Sequence, residues 1–213
     1  MTSLLTKLKP KRRWLQVSLR TVLVLVTALC VALSMWLVPA ERRRRVVAAI
    51  GELGGDVRYM EPDQTETKSF PIAFLQRSLP RDYFDQVALA DLTGTQVTDA
   101  RLADLKVLTG LRGLRLGSTD VTDVGLAPLH RLTSLRFLDL SGTPVTDAGL
   151  AHVRELKELE ALWLAGTDVT DTGVASLREL TSLRELWLSH TQVTDAGMAT
   201  LRQALPNCRV TGP

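Results

Sequence analysis

Aspartate is the residue whose placement most invites a chemical reading. Val-Thr-Asp occurs five times, ending at Asp99, Asp123, Asp147, Asp171 and Asp195, with 24 residues between successive copies. Carboxylates in such register could be metal ligands, a binding stripe or a device that starts helices. Calcium-binding solenoids take several oxygen ligands from each turn of a Gly-Asp-rich loop. Here each turn supplies one Asp between Thr and small residues, so no metal site is expected. Asp147 stands directly before Ala-Gly-Leu, where loop gives way to helical spacing. That position predicts a carboxylate accepting from the free amides of its own following turn and complementing the helix dipole, with Thr146 as the alternative cap. Its loss should cost about 1 kcal/mol and no specific function.

Other reactive side chains form no constellation. His130, His152 and His190 fall in different units, and Ser189-His190 adjacency sends the two side chains to different faces rather than into hydrogen-bond register. No phosphate loop, dinucleotide fingerprint or H-E-x-x-H is present. Cys30 and Cys208 are too few for a zinc site or a disulfide framework within one chain, and read as small packing residues. No catalytic residue and no cofactor are therefore expected, and the chain reads as non-enzymatic.

The element that positions the aspartates is the repeat itself. Leu111, Leu114 and Leu116 recur as Leu135, Leu138 and Leu140, then Leu159, Leu162 and Leu164, then Leu183, Leu186 and Leu188, at the same interval of 24. The frame L-x-x-L-x-L-x-x-T-x-V-T-D-x-G-L is that of a leucine-rich repeat, a short strand and a helix per unit. One such unit cannot bury its apolar faces, whereas a stack shares a continuous leucine core. Residues 87–213 are thus expected to form an α/β solenoid with a parallel sheet, a short arc of about five units of this kind. The first strand, "VALADL", has Ala90 for a leucine, and "PNCRVTG" supplies a final half-strand through Val210, as capping requires. The subtype resembles the T-D-x-G-L repeats of F-box adaptor proteins and many bacterial proteins. Threonine (Thr95, Thr119, Thr143, Thr167, Thr191) replaces the commoner asparagine or cysteine and is expected to satisfy loop backbone groups. No F-box-like segment precedes the array, so an adaptor role in degradation is not implied.

Alternation along the strands separates core from face. Leu138 and Leu140 point inward, and Leu150, Val153 and Leu156 close the core from the helix. The outward positions place Arg115, Asp139, Trp163 and Trp187 in one column. Phe137 and Glu185 lie beside it, and Arg112, Arg136, Glu160 and Arg184 run along one margin. Exposed tryptophans among arginines have the composition of a protein-recognition hot spot, because each ring offers large contact area for little lost entropy. The plainer alternative is that the rings stack on one another and stabilise the sheet without a partner. Lys106, His130, Arg154, Arg178 and Arg202, late in successive helices, read as cations that suit helix C-termini.

Charge is divided unevenly. Ten of the 26 Lys and Arg but one of the 23 Asp and Glu lie in residues 1–45, whereas residues 87–213 hold 12 basic and 15 acidic residues. A slightly acidic body argues against nucleic acid as a partner. "TVLVLVTALCVALSMWLV", Thr21 to Val38, is 18 residues without a charge. As a helix it spans roughly the hydrocarbon thickness of a bilayer. Trp14 and Trp36 would stand about 33 Å apart on it, at two interfaces. A cleaved signal peptide competes, but the run exceeds the usual signal core and Arg42 to Arg45 follow at once. "RRWLQVSLRTVLVLV" followed by "VVAAIGELGGDVRY" resembles the N-terminal block of membrane-anchored proteins of planctomycete-type bacteria, which commonly carry leucine-rich repeats. The resemblance covers about Arg12 to Tyr59, favours an uncleaved anchor and implies no catalysis.

The expected organisation is a basic tail (1–13), a transmembrane anchor (14–40) contacting lipid, a juxtamembrane helix (41–60) stopped by Gly54-Gly55, a linker and N-terminal cap (61–86) using Tyr83 and Phe84, and the repeats (87–213). More basic residues precede the apolar run than follow it, which places the repeats outside the cytoplasm of a single-pass membrane protein. The function expected is binding of a protein or an envelope polymer by the concave face. A structural spacer without a ligand and an accessory subunit of an enzyme complex are the alternatives, and the oligomeric state is open.

Overall fold

A computed structural model describes residues 19–60 and 86–212. The chain divides into two compact units, Met1–Pro39 and Ala40–Pro213. The first described element is a helix, α1 (Leu19–Glu52), which contains Pro39. Among the described residues no helix is long and apolar enough to cross a membrane. This overturns the expectation of a single-pass membrane protein with its repeats outside the cytoplasm, and leaves the anchor over 14–40 and its lipid contact without support. The apolar run stood at the lower limit of a span. Nor is it a separate segment, since α1 runs on through Arg42 to Arg45, the residues read as the flank of an anchor. The basic tail, Trp14 and residues 61–85, Tyr83 and Phe84 among them, lie outside the described residues.

Within the second unit, the end of α1 closes the core at its N-terminal edge. Ile50 is buried, and Val46, Val47 and Leu53 pack against the same cluster. Gly54, at φ 82°, turns the chain out of the helix. Strand β1 (Asp56–Tyr59) then pairs antiparallel with β2 (Val87–Asp91). Gly55 is required at this corner, because a Cβ would come within 2.8 Å of the Asp91 carbonyl oxygen and of a Leu92 methyl.

From β2 onward the sheet is parallel, adding one strand per 24-residue step: β3 (Gly113–Arg115), β4 (Phe137–Asp139), β5 (Ala161–Trp163), β6 (Glu185–Trp187) and β7 (Arg209–Thr211). Register never slips. Leu114, Leu138, Leu162, Leu186 and Val210 are successive partners across the sheet. One residue of slip would turn each leucine outward, so the buried column pins the pairing.

The returning face carries short helices: α2 (Asp99–Leu102), α3 (Asp123–Leu126), α4 (Asp147–Val153), α5 (Asp171–Ala175) and α6 (Asp195–Ala204). Three of them tighten directly into 3-10 turns, Ala103–Val107, Ala127–Arg131 and Ser176–Glu179. The expected alternation holds, with Leu138, Leu140, Leu150 and Leu156 at 0% exposure and Val153 at 1%. The buried threonines do what their position predicts: Thr119, Thr143 and Thr167 donate to the carbonyl oxygens of Leu116, Leu140 and Leu164 at 2.6 to 2.7 Å. Such a bond prevents an unpaired hydroxyl from standing in the core.

Strands β2 to β6 each leave through one left-handed residue. Gly94, Ser118, Gly142, Gly166 and His190 hold φ between 55° and 69° at the same repeat position. Glycine adopts this conformation freely, but Ser118 and His190 do not. Leu205 and Cys208 close the C-terminal end of the core. Burial, then the nearby Glu185 carboxylate, push the Cys208 thiol up to about 11, so it is a packing residue with little thiolate.

Candidate functional site

The repeated aspartates have a different task from the one expected. Thr146, not Asp147, caps α4: its hydroxyl oxygen accepts from the Ala148 amide at 3.3 Å. Asp147 is the first residue of the helix, and its carboxylate reaches into the next unit. There Oδ1 accepts from the Thr170 amide at 2.8 Å and Oδ2 from the Thr170 hydroxyl at 2.6 Å. Asp99, Asp123 and Asp171 do the same to Thr122, Thr146 and Thr194. A threonine hydroxyl can donate to the carboxylate of one unit while accepting from the amide of its own helix, and no other small side chain but serine has both capacities.

The glycine of T-D-x-G completes the device. A Cβ at Gly173 would collide with Asp147 Oδ1, and Gly149 and Gly197 stand in the same relation to Asp123 and Asp171. Aspartate thus sits in space that glycine leaves open. For Asp171, the Thr194 hydroxyl and then the Thr194 amide hold the carboxyl below the usual carboxylate range. This row belongs to architecture, and no group of His, Cys, Asp or Glu suited to a metal occurs among the described residues.

The opposite face carries the non-repeating residues. Asp91, Arg115, Asp139, Trp163, Trp187 and Thr211 are register partners in one column. Phe137 and Glu185 share the neighbouring row with Ala161. The structure brings the aromatic residues together. Phe137 meets Trp163 edge-on, with ring centroids 5.0 Å apart, and Trp163 lies 5.5 Å from Trp187 at a tilt of 41°. The Arg115 guanidinium covers the Phe137 ring at 5.6 Å. A continuous stack therefore runs Arg115, Phe137, Trp163, Trp187 across the strands.

Exposure along the stack is graded. Trp187 is 41% exposed, whereas Phe137 and Trp163 are half-buried. The Trp163 indole Nε1 is shut off from solvent and meets no acceptor among the described residues. Stacking holds Trp163 in place, while Trp187 presents its ring outward. Asp139, expected to face the open sheet, is only 8% exposed. Its carboxylate accepts from the Ser141 amide at 2.9 Å, so it braces the loop after its strand instead of offering a contact. Local backbone amides can recapture a short acidic side chain in this way.

The charged positions divide into paired and unpaired. Arg115 reaches Asp91 at 3.1 Å, and Arg136 reaches Glu160 at 3.1 Å. Arg112 and Arg184 are exposed and make no ion pair among the described residues. Asp91 is the residue that sequence reasoning passed over. It lies 24 positions before Arg115, so the repeat interval itself was the signal that could have found it. On the helix side Arg154 pairs with its neighbour Glu155, and Lys157 with Glu179 one unit on.

A family model described as leucine-rich repeat matches residues 131–151 and 179–201. Among solved structures, an internalin C2 of Listeria monocytogenes is 26% identical, with a TM-score of 0.44 over 52% of this chain and 46% of that one. A Leptospira interrogans leucine-rich-repeat protein is 20% identical, with a TM-score of 0.41 over 51% of this chain and 27% of its own. The ectodomain of the receptor kinase SOBIR1 from Arabidopsis thaliana is 12% identical, with a TM-score of 0.47 over 80% and 90% of the two chains. This chain spans less than half the length of the internalin and Leptospira proteins that it matches. No curated protein matches the sequence.

Proposed function

We propose that the leucine-rich repeats of this chain form a non-enzymatic protein-interaction module whose concave face contacts a protein partner around Trp187. One observation carries the reading: an indole 41% exposed is held from behind by Trp163 and Phe137 in a stack anchored by Arg115. A ring fixed by its neighbours loses little entropy on binding, and large pre-positioned aromatics flanked by arginine are the residues that dominate interface energies. Arg112, Arg136, Glu160, Arg184 and Glu185 supply the polar rim, and a mixed-charge rim sets specificity more than affinity.

The spacer reading is favoured by a separate fact, the stacking of Trp163 on Trp187, which gives both rings a structural use. Trp187→Ser separates the two. The full chain and the variant are used to capture partners from the native cell extract, and any captured protein is then purified and titrated directly against both. Saturable binding that falls at least about tenfold in the variant, with unchanged circular dichroism, supports the module; such losses are usual for hot-spot aromatics. Equal binding by the two proteins sinks the assignment of the concave face.

A further inference from the structure

The reading of the concave face leaves the partner's chemistry open, and the charged margin narrows it. Its four residues, Arg112, Arg136, Glu160 and Arg184, each stand immediately before a strand, and the amide of each of the last three donates to the carbonyl oxygen of the one before it at 2.7 to 2.8 Å. The two inner members neutralise one another, since Arg136 and Glu160 are 3.1 Å apart. The two outer members, Arg112 and Arg184, are exposed and have no ion-pair partner among the described residues. Arg115 in the adjoining column is committed to Asp91 and to the Phe137 ring. Within the margin, free positive charge therefore stands at its two ends, three strands apart, while Arg58 and Arg209 are exposed at the far ends of the neighbouring row.

Strand spacing turns this pattern into a ruler. Three intervals of about 4.8 Å separate the two guanidinium-bearing positions by about 14 Å. An extended chain advances roughly 3.4 Å per residue, so carboxylates four residues apart match that separation. Between the two arginines the neighbouring row dips at Ala161, flanked by Phe137 and Glu185 and backed by Trp163. An apolar side chain midway between the two carboxylates would fall there.

We infer that the concave face binds an extended segment of a protein partner running across the strands, with two acidic residues four positions apart paired to Arg112 and Arg184 and an apolar side chain between them against Ala161 and Phe137. This rests on the reading of the concave face as a protein-binding surface. Arginine can meet each carboxylate with two parallel hydrogen bonds, which a single ammonium cannot do.

The test uses the full chain and synthetic peptides of Gly and Ser. One carries two Asp residues four positions apart with Leu midway, and a second carries the same residues with the two Asp adjacent. Isothermal titration at low salt should show the first binding more tightly, with affinity falling as salt rises. Arg112→Gln and Arg184→Gln should each weaken it a few-fold and together about tenfold, the range expected of exposed pairs. Arg178→Gln on the helix side should leave it unchanged. Equal binding of the two peptides, indifference to Arg112→Gln and Arg184→Gln, or tighter binding of a DNA oligonucleotide than of either peptide would each overturn the inference. If a captured protein is lost on Trp187→Ser but not on changing the two arginines, the concave-face reading survives and this inference fails.

Discussion

The two faces of the repeat array hold the same residue interval to different ends. On the helix side every unit repeats the same three residues, and Asp99, Asp123, Asp147 and Asp171 each make the same pair of bonds to the next unit's threonine. On the sheet side the register is equally regular, yet one column reads Asp91, Arg115, Asp139, Trp163, Trp187 and Thr211. Regularity in side-chain identity marks the face that stacks the units, and its absence marks the face released from that duty. Changes on the helix side should therefore move stability with little effect on the proposed binding, and changes on the sheet side the reverse.

The largest expected effect is on the ladder. Asp147→Ala removes both bonds to Thr170 and leaves its amide unsatisfied, which should cost about 2 to 3 kcal/mol in urea unfolding, the range for bonds to a charged acceptor. Asp195→Ala is the control, since Asp195 begins the last helix and makes no such bond among the described residues. It should cost no more than about 1 kcal/mol, its share of the helix dipole. Equal losses would return the aspartates to the role of caps for their own helices.

Acid should reach the same ladder. The Asp171 carboxyl is depressed in the folded chain by its bonds to Thr194. Its contribution is therefore complete above the ordinary carboxylate range and is lost as pH falls through the lowered folded value. Thr194→Val removes the hydroxyl donor, so the Asp171 titration followed by NMR should move back upward. An unmoved titration would break the link between the hydroxyl and the carboxylate.

A smaller gain is expected where the strands turn. Ser118 and His190 occupy a left-handed position that Gly94, Gly142 and Gly166 hold elsewhere. His190→Gly relieves the conformational cost and adds freedom to the unfolded chain, for a net gain of about 0.5 kcal/mol. A loss on calorimetry would show that the His190 side chain makes a contribution of its own. The smallest change is Trp163→Phe, which deletes an indole N–H that has no acceptor among the described residues. Stability should stay within about 0.5 kcal/mol, because no hydrogen bond is broken and the ring contact persists. A larger fall would place Trp163 with the structural ladder instead of with the exposed stack around Trp187.

The period of 24 residues, the leucine pattern and the parallel strand order follow from the sequence alone, because units of identical length and apolar spacing can share a core only by stacking in register. The same alternation places Arg115, Trp163 and Trp187 in one column. Two matters needed the tertiary structure. Asp147 reads locally as a helix cap, and only the packing of one unit on the next shows that its carboxylate serves Thr170, 23 residues away, in space left by Gly173. Asp139 likewise reads as an outward strand residue, and only the course of the following loop turns it onto the Ser141 amide. The apolar run from Thr21 to Val38 gave the converse lesson, since hydropathy records that a segment is apolar and not what element it belongs to. Periodicity determines which residues share a row, while the close approach of neighbouring units decides which of them are already taken by the fold and which, such as Trp187, remain exposed.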